Sequence, residues 1–253
     1  MAFGSTQAPR TERHDNEQSR TYNTLLRTVS PHIFARLADG MERVDLPLKF
    51  VLVEDGVAPD HIHFLESGLG SVVATSSDEE AIEVGHLGRE GASGMHVMLA
   101  VPTTPGRTFM QVAGSGIRVT TNEFTEAVVS DREAREFFLR YVHTTVLQLA
   151  HSALANARYS MQERLARWLL MCHDRLDGDN LTVTHEFLSL MLGVRRSGVT
   201  DHLHILEGRH AIRSTRGNIR ILDREMLLDI AGGCYGVPER EYEKVLGLPT
   251  RVK

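Results

Sequence analysis

Hydrophobic positions change their period along this chain, and the changes mark the elements. Between Asn23 and Met41 the apolar residues Leu25, Leu26, Ile33, Phe34 and Leu37 recur at helical spacing. Ser30 before Pro31 reads as a cap followed by a first helical position, so a helix restarts there. From about Val44 to Thr121 the apolar stretches shorten to Phe50–Val53, His61–Leu65, Ser71–Ala74, Ile82–Leu87, Thr108–Val112 and Ile117–Thr120. Gly, Pro, Asp and Ser separate them, which predicts a compact all-β unit.

Residues 122–158 then contain neither Pro nor Gly and are rich in helix formers. Phe138, Val142, Thr145, Leu149 and Ser152 follow one another in steps of four and three, the spacing of a seam shared by two long helices. That predicts a dimerisation helix; a single helix packed on its own β-domain is the alternative. A further helix is expected over Ser160–Leu176, with Leu165, Trp168, Leu169 and Cys172 as its apolar stripe and Asp177-Gly178-Asp179 as its stop. Two short helices follow within 183–206. A hairpin of Ala211–Ser214 and Ile219–Leu222 then turns through Thr215-Arg216-Gly217-Asn218. The expected organisation is a disordered tail over 1–21, a β-domain over 22–121, the long helix over 122–158, a helical and hairpin domain over 159–235 and a charged tail over 236–253.

Composition narrows the classes. The chain has 253 residues with 42% hydrophobic and 24% charged content, as in soluble globular proteins. No apolar run is long enough to span a bilayer. The first twenty residues lack the apolar centre of a signal peptide, so a cytoplasmic location is expected. Cys172 and Cys234 stand too far apart for a disulfide framework, and no cysteine precedes them to hold an N-terminal iron–sulfur cluster.

Charge is distributed unevenly. Residues 1–157 carry 13 Lys and Arg against 20 Asp and Glu, a balance of −7, whereas residues 158–253 carry 15 against 13. Within 195–224 seven arginines face three acids, a local +4 that suits nucleic-acid phosphates.

The segment Val183 to Leu206 reads as a helix-turn-helix. Thr184 caps the first helix, Glu186 sits in its first turn, Ser189 is small at the crossing, and Gly193 occupies the tight turn. Val194, Val199, Leu203 and Leu206 hold the second helix inward, which leaves Arg195, Arg196, Ser197, Thr200 and Asp201 outward. Of these, Arg195, Arg196, Ser197 and Asp201 are the expected base-contacting residues, with Arg196 as the guanine reader. Thr184, His185, Arg213 and Arg216 are the expected phosphate contacts.

With that order of parts (a glycine-rich β-unit, a long helix, then Gly193-Val194-Arg195-Arg196-Ser197-Gly198-Val199-Thr200 before a hairpin) the chain resembles the Crp/Fnr family of cyclic-AMP-receptor-like transcription regulators. The resemblance covers about residues 22–235. It implies an α+β protein with an N-terminal β-roll (a cyclic-nucleotide-binding-like jelly roll), a long dimerisation helix and a C-terminal winged helix-turn-helix. It also implies a homodimer on a palindromic double-stranded operator, with RNA polymerase among its partners and no membrane. An effector would bind in the β-roll, where Gly94, Met95, Arg107 and Thr108 match the cyclic-nucleotide signature most closely. Met95 stands where that signature has a ribose-binding carboxylate, Phe109 where it has a small residue, and Leu149 and Ala150 where adenine would be bonded. Cyclic AMP is therefore not the expected effector, and the effector is unknown.

Other constellations lead nowhere. His61 and His63 share a strand face but are too few for a metal site, and His202 and His204 cannot share a helical face. No cofactor, metal or catalytic constellation is evident, so an enzyme is not expected. The competing functions are a small-molecule-binding module with a degenerate DNA domain, and a constitutive regulator without an effector.

Overall fold

The alternation after Val44 folds into two facing antiparallel sheets, the β-roll. Its strands are β1 (Glu42–Leu46), β2 (Val51–Val53), β3 (His61–Leu65), β4 (Leu69–Thr75), β5 (Ala81–Leu87), β6 (Gly106–Val112) and β7 (Gly114–Thr120). One sheet has the order β1-β7-β3 and the other β2-β6-β4-β5. The computed structural model describes residue 14 and residues 17–183, 185–194 and 196–251, without the side chains of His185, Glu186, Leu190, Arg196 and Ser197. The hydrophobic reading missed β1, whose sequence Glu-Arg-Val-Asp-Leu buries only Leu46. Gly114 illustrates why the sharp β6–β7 turn needs glycine: a Cβ there would lie 2.2 Å from the Ser67 carbonyl oxygen.

Helices α1 (Thr24–Thr28) and α2 (Pro31–Ala38) precede the roll, and the one-turn α3 (Met95–Met98) lies within it. Within the tail expected to be disordered, residues 17–21 are packed: the buried Gln18 amide donates to the carbonyls of Leu26 at 3.0 Å and Val29 at 2.7 Å. The single helix expected over 122–158 is two, α4 (Thr121–Val129) and α5 (Arg132–Arg158). Asp131 makes the break, because its side chain accepts the Ala134 amide and so caps a new helix.

The seam assigned to α5 needs correction. Phe138 and Val142 are buried in the chain's own core, where Phe138 meets Phe124 at a ring separation of 4.9 Å and Phe137 at 5.4 Å. Thr145 and Leu149 face a cavity of the β-roll, and Ser152 accepts Arg167 from the next helix. Leu139, Val146 and Leu154 are the exposed large apolar residues of α5, and Val146 is 50% exposed. The face left free is thus turned by about one residue from the one expected. The phase that carries Phe138 met the richer apolar surface, which the β-roll supplies.

Beyond α5 come α6 (Met161–Arg175), β8 (Asn180–Thr182), α7 (His185–Leu192), α8 (Arg196–Gly208), the hairpin β9 (Ile212–Thr215) and β10 (Asn218–Ile221), α9 (Arg224–Ala231) and α10 (Val237–Leu246). Ser160 and Glu163 close a capping box at the start of α6. A second core gathers Trp168, Leu188, Val199, Leu203 and Ile219, and Leu69 of the β-roll joins it. The charged tail expected after 235 is instead α10, which returns to α5 with Tyr242 and Leu246 buried. The Tyr242 hydroxyl donates to the Glu90 carbonyl at 2.6 Å. Glu and Lys on its outer face hid the apolar stripe of this helix.

Candidate nucleic-acid interface

Helix α7, a turn at Gly193 and helix α8 form the helix-turn-helix. Gly193 has φ +63°, the left-handed conformation that its position demanded. Val199, Leu203 and Leu206 are buried against Leu188 and Met191, so the apolar phase read from the sequence is the one that packs. That phase fixes which side of α8 remains outside, and Asp201 and His204 are exposed on it. Arg196 and Ser197 open the first turn of α8, as required for a groove-entering end, and His185 opens α7. Thr184 and Arg195 lie outside the described residues.

The wing turns tightly through Arg216 and Gly217, with Gly217 at φ +76°. It has a third strand that the sequence did not reveal, β8, which pairs with β10 through Leu181 and Ile219. The Ser214 amide donates to Glu207 at 2.7 Å, tying the wing to the last turn of α8. Arg213 and Arg216 are exposed there, and Arg220 stands directly across the ladder from Arg213. Like charges opposite each other destabilise a hairpin, so this pairing favours an anionic partner over water alone. Arg220 was not singled out from sequence; its alternation with the apolar Ile219 and Ile221 was its signal.

The effector residues divide. Gly94, Met95 and Thr108 line a cavity of about 100 Å³ inside the β-roll, together with His86, Thr145 and Leu149. Arg107 does not join them. Neighbouring strand residues point to opposite faces, so Thr108 turns inward while Arg107 turns out toward Glu54 at 3.3 Å and the Phe109 ring at 5.8 Å. Burial lowers the pKa of His96 on the cavity wall, and a hydrogen bond to the Pro102 carbonyl opposes this.

The β-roll and the helix-turn-helix are joined through polar contacts. Arg175 at the end of α6 donates to Glu90 at 2.7 Å, and both side chains are buried. Arg89 makes a two-pronged pair with Asp177 at 3.0 and 2.6 Å. Residues 163–230, which contain Arg175, Asp177 and the whole helix-turn-helix, match the Crp-like helix-turn-helix domain. The chain has the fold of the Crp/Fnr transcription regulators.

No curated protein matches the chain. Among solved structures, a Crp/Fnr-family transcriptional regulator from Eubacterium rectale is similar at 14% identity and a TM-score of 0.64, over 83% of this chain and 98% of that one. A CRP-family regulator from Thermus thermophilus gives 20% identity and 0.61, over 76% and 97%. FixK2 from Bradyrhizobium japonicum gives 13% identity and 0.64, over 76% and 98%. In the Crp-like domain of this chain, α8 is the second helix of the helix-turn-helix. No helix among the described residues is long and apolar enough to cross a membrane.

Proposed function

We propose that this protein is a dimeric, sequence-specific DNA-binding transcription regulator that acts in the cytoplasm and does not respond to cyclic AMP. The observation that carries the reading is the joined surface of α8 and the wing. A helix whose inner phase is buried leaves Asp201 and His204 exposed, and an arginine hairpin is bonded to its far end. Such a helix fits the major groove, and the wing fits the flanking phosphates. Arg195, Arg196, Ser197 and Asp201 read bases; Thr184, His185, Arg213, Arg216 and Arg220 hold the backbone.

Dimerisation uses the free face of α5, where Leu139, Val146 and Leu154 are exposed with His143 and Ala150 between them. These residues recur in steps of three and four, so two copies of α5 lie side by side and set two recognition helices on a palindrome. RNA polymerase is the partner through which such a regulator would act.

A cavity of about 100 Å³ is well below the roughly 300 Å³ and upward typical of drug-sized ligands, which supports a ligand smaller than a nucleotide. Its wall offers no carboxylate at Met95, and Arg107 faces away. The effector is therefore a smaller molecule of another class.

Selection of binding sites from random DNA tests the reading. A palindrome with half-sites about one helical turn apart is expected. Arg196→Ala should weaken the selected site by about 1–3 kcal/mol and relax one base position. Retained selectivity in Arg196→Ala would remove that residue from the base contacts, and binding without sequence preference would overturn the function.

A further inference from the structure

The chain passes between its two cores twice. It first leaves the β-roll half at the turn from α5 to α6, around Tyr159 and Ser160. It returns through Gly232–Cys234 into α10, beyond the residues 163–230 that match the Crp-like domain. Ala231 is buried in the core of the DNA-binding half, and Tyr235 packs against that core. Tyr242, Leu246 and Leu248 are buried instead in the core that holds Leu25, Phe137 and Phe138. Helix α10 thus belongs to the DNA-binding half by connection and to the β-roll half by packing.

Both ends of this return are pinned. Asp174 of α6 has a fully buried side chain and accepts Arg224 at 2.6 Å and the Tyr235 hydroxyl at 2.5 Å. The Arg224 guanidinium also lies 5.9 Å from the Tyr235 ring centroid. Gly236 turns the chain at φ +104°, and the Glu239 side chain accepts its amide at 3.0 Å. At the far end the Tyr242 hydroxyl donates to the Glu90 carbonyl, the residue whose side chain holds Arg175. Pro238, Glu239 and Tyr242 line a cavity of about 20 Å³ beside Glu90 and Arg175, so α10 walls that ion pair off from solvent. The Arg89–Asp177 pair differs: its Asp177 side chain is 76% exposed, and a pair so open to water holds little.

We propose that α10 is a strap that fixes the DNA-binding half to α5 and the β-roll, and that this fixing makes the spacing of the two half-sites a specificity determinant of the protein. Only the second clause rests on the regulator reading above. Two recognition helices measure a spacing only when each is held rigidly to the helix that joins the copies. One added base pair moves a half-site by about 3.4 Å and turns it by about 35°. Helix α10 runs along α5, with Glu241 Oε1 3.9 Å from His143 Nε2, and so braces the DNA-binding half against that joining helix.

Inserting a Gly-Ser linker of about six residues after Gly236 in the full chain slackens the strap while α10 keeps its seat on α5. Trp168 reports on the joint, because it is the sole tryptophan and its indole N–H donates from α6 to Glu83 of β5 at 2.6 Å. Acrylamide quenching of its emission should rise at least about twofold in the slack variant, since local opening uncovers the ring. Circular dichroism checks that this variant folds. If it does not, Leu246→Ala, which loosens the docked end, should raise the quenching instead. Asp177→Asn should leave it unchanged. On selected DNA, one base pair added between the half-sites should cost the wild type at least about tenfold in affinity, the equivalent of a lost base contact, and the slack variant less than about threefold. Unchanged quenching in a folded slack variant, or in Leu246→Ala in its place, would overturn the strap, and so would an equal rise in Asp177→Asn. A wild type indifferent to spacing, or a slack variant that discriminates as sharply, would overturn the spacing role. Quenching is read without DNA, so failure to select any DNA speaks against the regulator reading alone.

Discussion

Replacing Phe138 by Ala separates the two roles that α5 could give this residue. Phe138 is 1% exposed and packs against Phe124, Phe137 and Phe64 at ring separations of 4.9, 5.4 and 6.3 Å. Removing a buried phenyl ring costs about 3–5 kcal/mol through lost transfer energy and the void left behind. The edge-to-face pairs place this site toward the upper end, since each adds roughly 0.5–1.5 kcal/mol beyond area. For a chain of this size, about 4 kcal/mol lowers the melting temperature by roughly 8–16 °C. Thermal melts monitored by circular dichroism, repeated over a range of protein concentrations, measure it. The loss should be the same size at every concentration, because the contacts are made within one chain. Val146→Asp, on the exposed face, should instead leave the β-roll folded and shift sedimentation toward the monomer. If Phe138→Ala melted like the wild type and merely dissociated, the placement of Phe138 in the core would be wrong.

Three further outcomes are expected. Arg175→Met should cost about 3–5 kcal/mol in urea unfolding, because Glu90 would remain buried and charged without its partner; Glu90→Gln in the same chain should recover part of it, and a purely additive double variant would refute the coupling. Burial and the nearby charges of His61 and Arg118 lower the pKa of His63 from 6.5 to about 4. The unfolded chain therefore binds the extra proton first, so this stabilisation is complete above pH 6.5 and is lost as pH falls toward 4, amounting to about 2 kcal/mol by pH 5. His63→Gln should flatten that acid limb; an unchanged limb would refute the assignment. Arg220→Ala should reduce the salt dependence of DNA binding by about 0.9 in the slope of log affinity against log salt, the share of one phosphate contact. A steepness equal to wild type would remove Arg220 from the interface.

Local signals were legible wherever a residue's own chemistry forced the backbone. Gly193 had to take a left-handed turn and does, and the helix expected from Ser160 forms, with Ser160 as its cap. The phase of Val199, Leu203 and Leu206 needed only helical geometry, so the inner side of α8 was readable in advance. Strand β8 was not readable, because a three-residue strand has too few positions to show a period and exists only through its pairing with β10. Helix α10 hid behind a charged outer face, and its apolar stripe acquires meaning only against α5.

The sequence by itself determined the succession of β-unit, long helical stretch, helix-turn-helix and arginine-rich wing, because periodicity, caps and turns are properties of neighbouring residues. The tertiary structure decided which competing surface each stripe met. It turned Phe138 and Val142 inward and left Val146 outside, since a helix with apolar residues in two phases buries the one with the larger contact. It also sent Arg107 outward, away from the pocket to which its motif had assigned it. And it brought His86, Glu83 and Trp168 together from distant positions, a juxtaposition made by packing α6 against the β-roll.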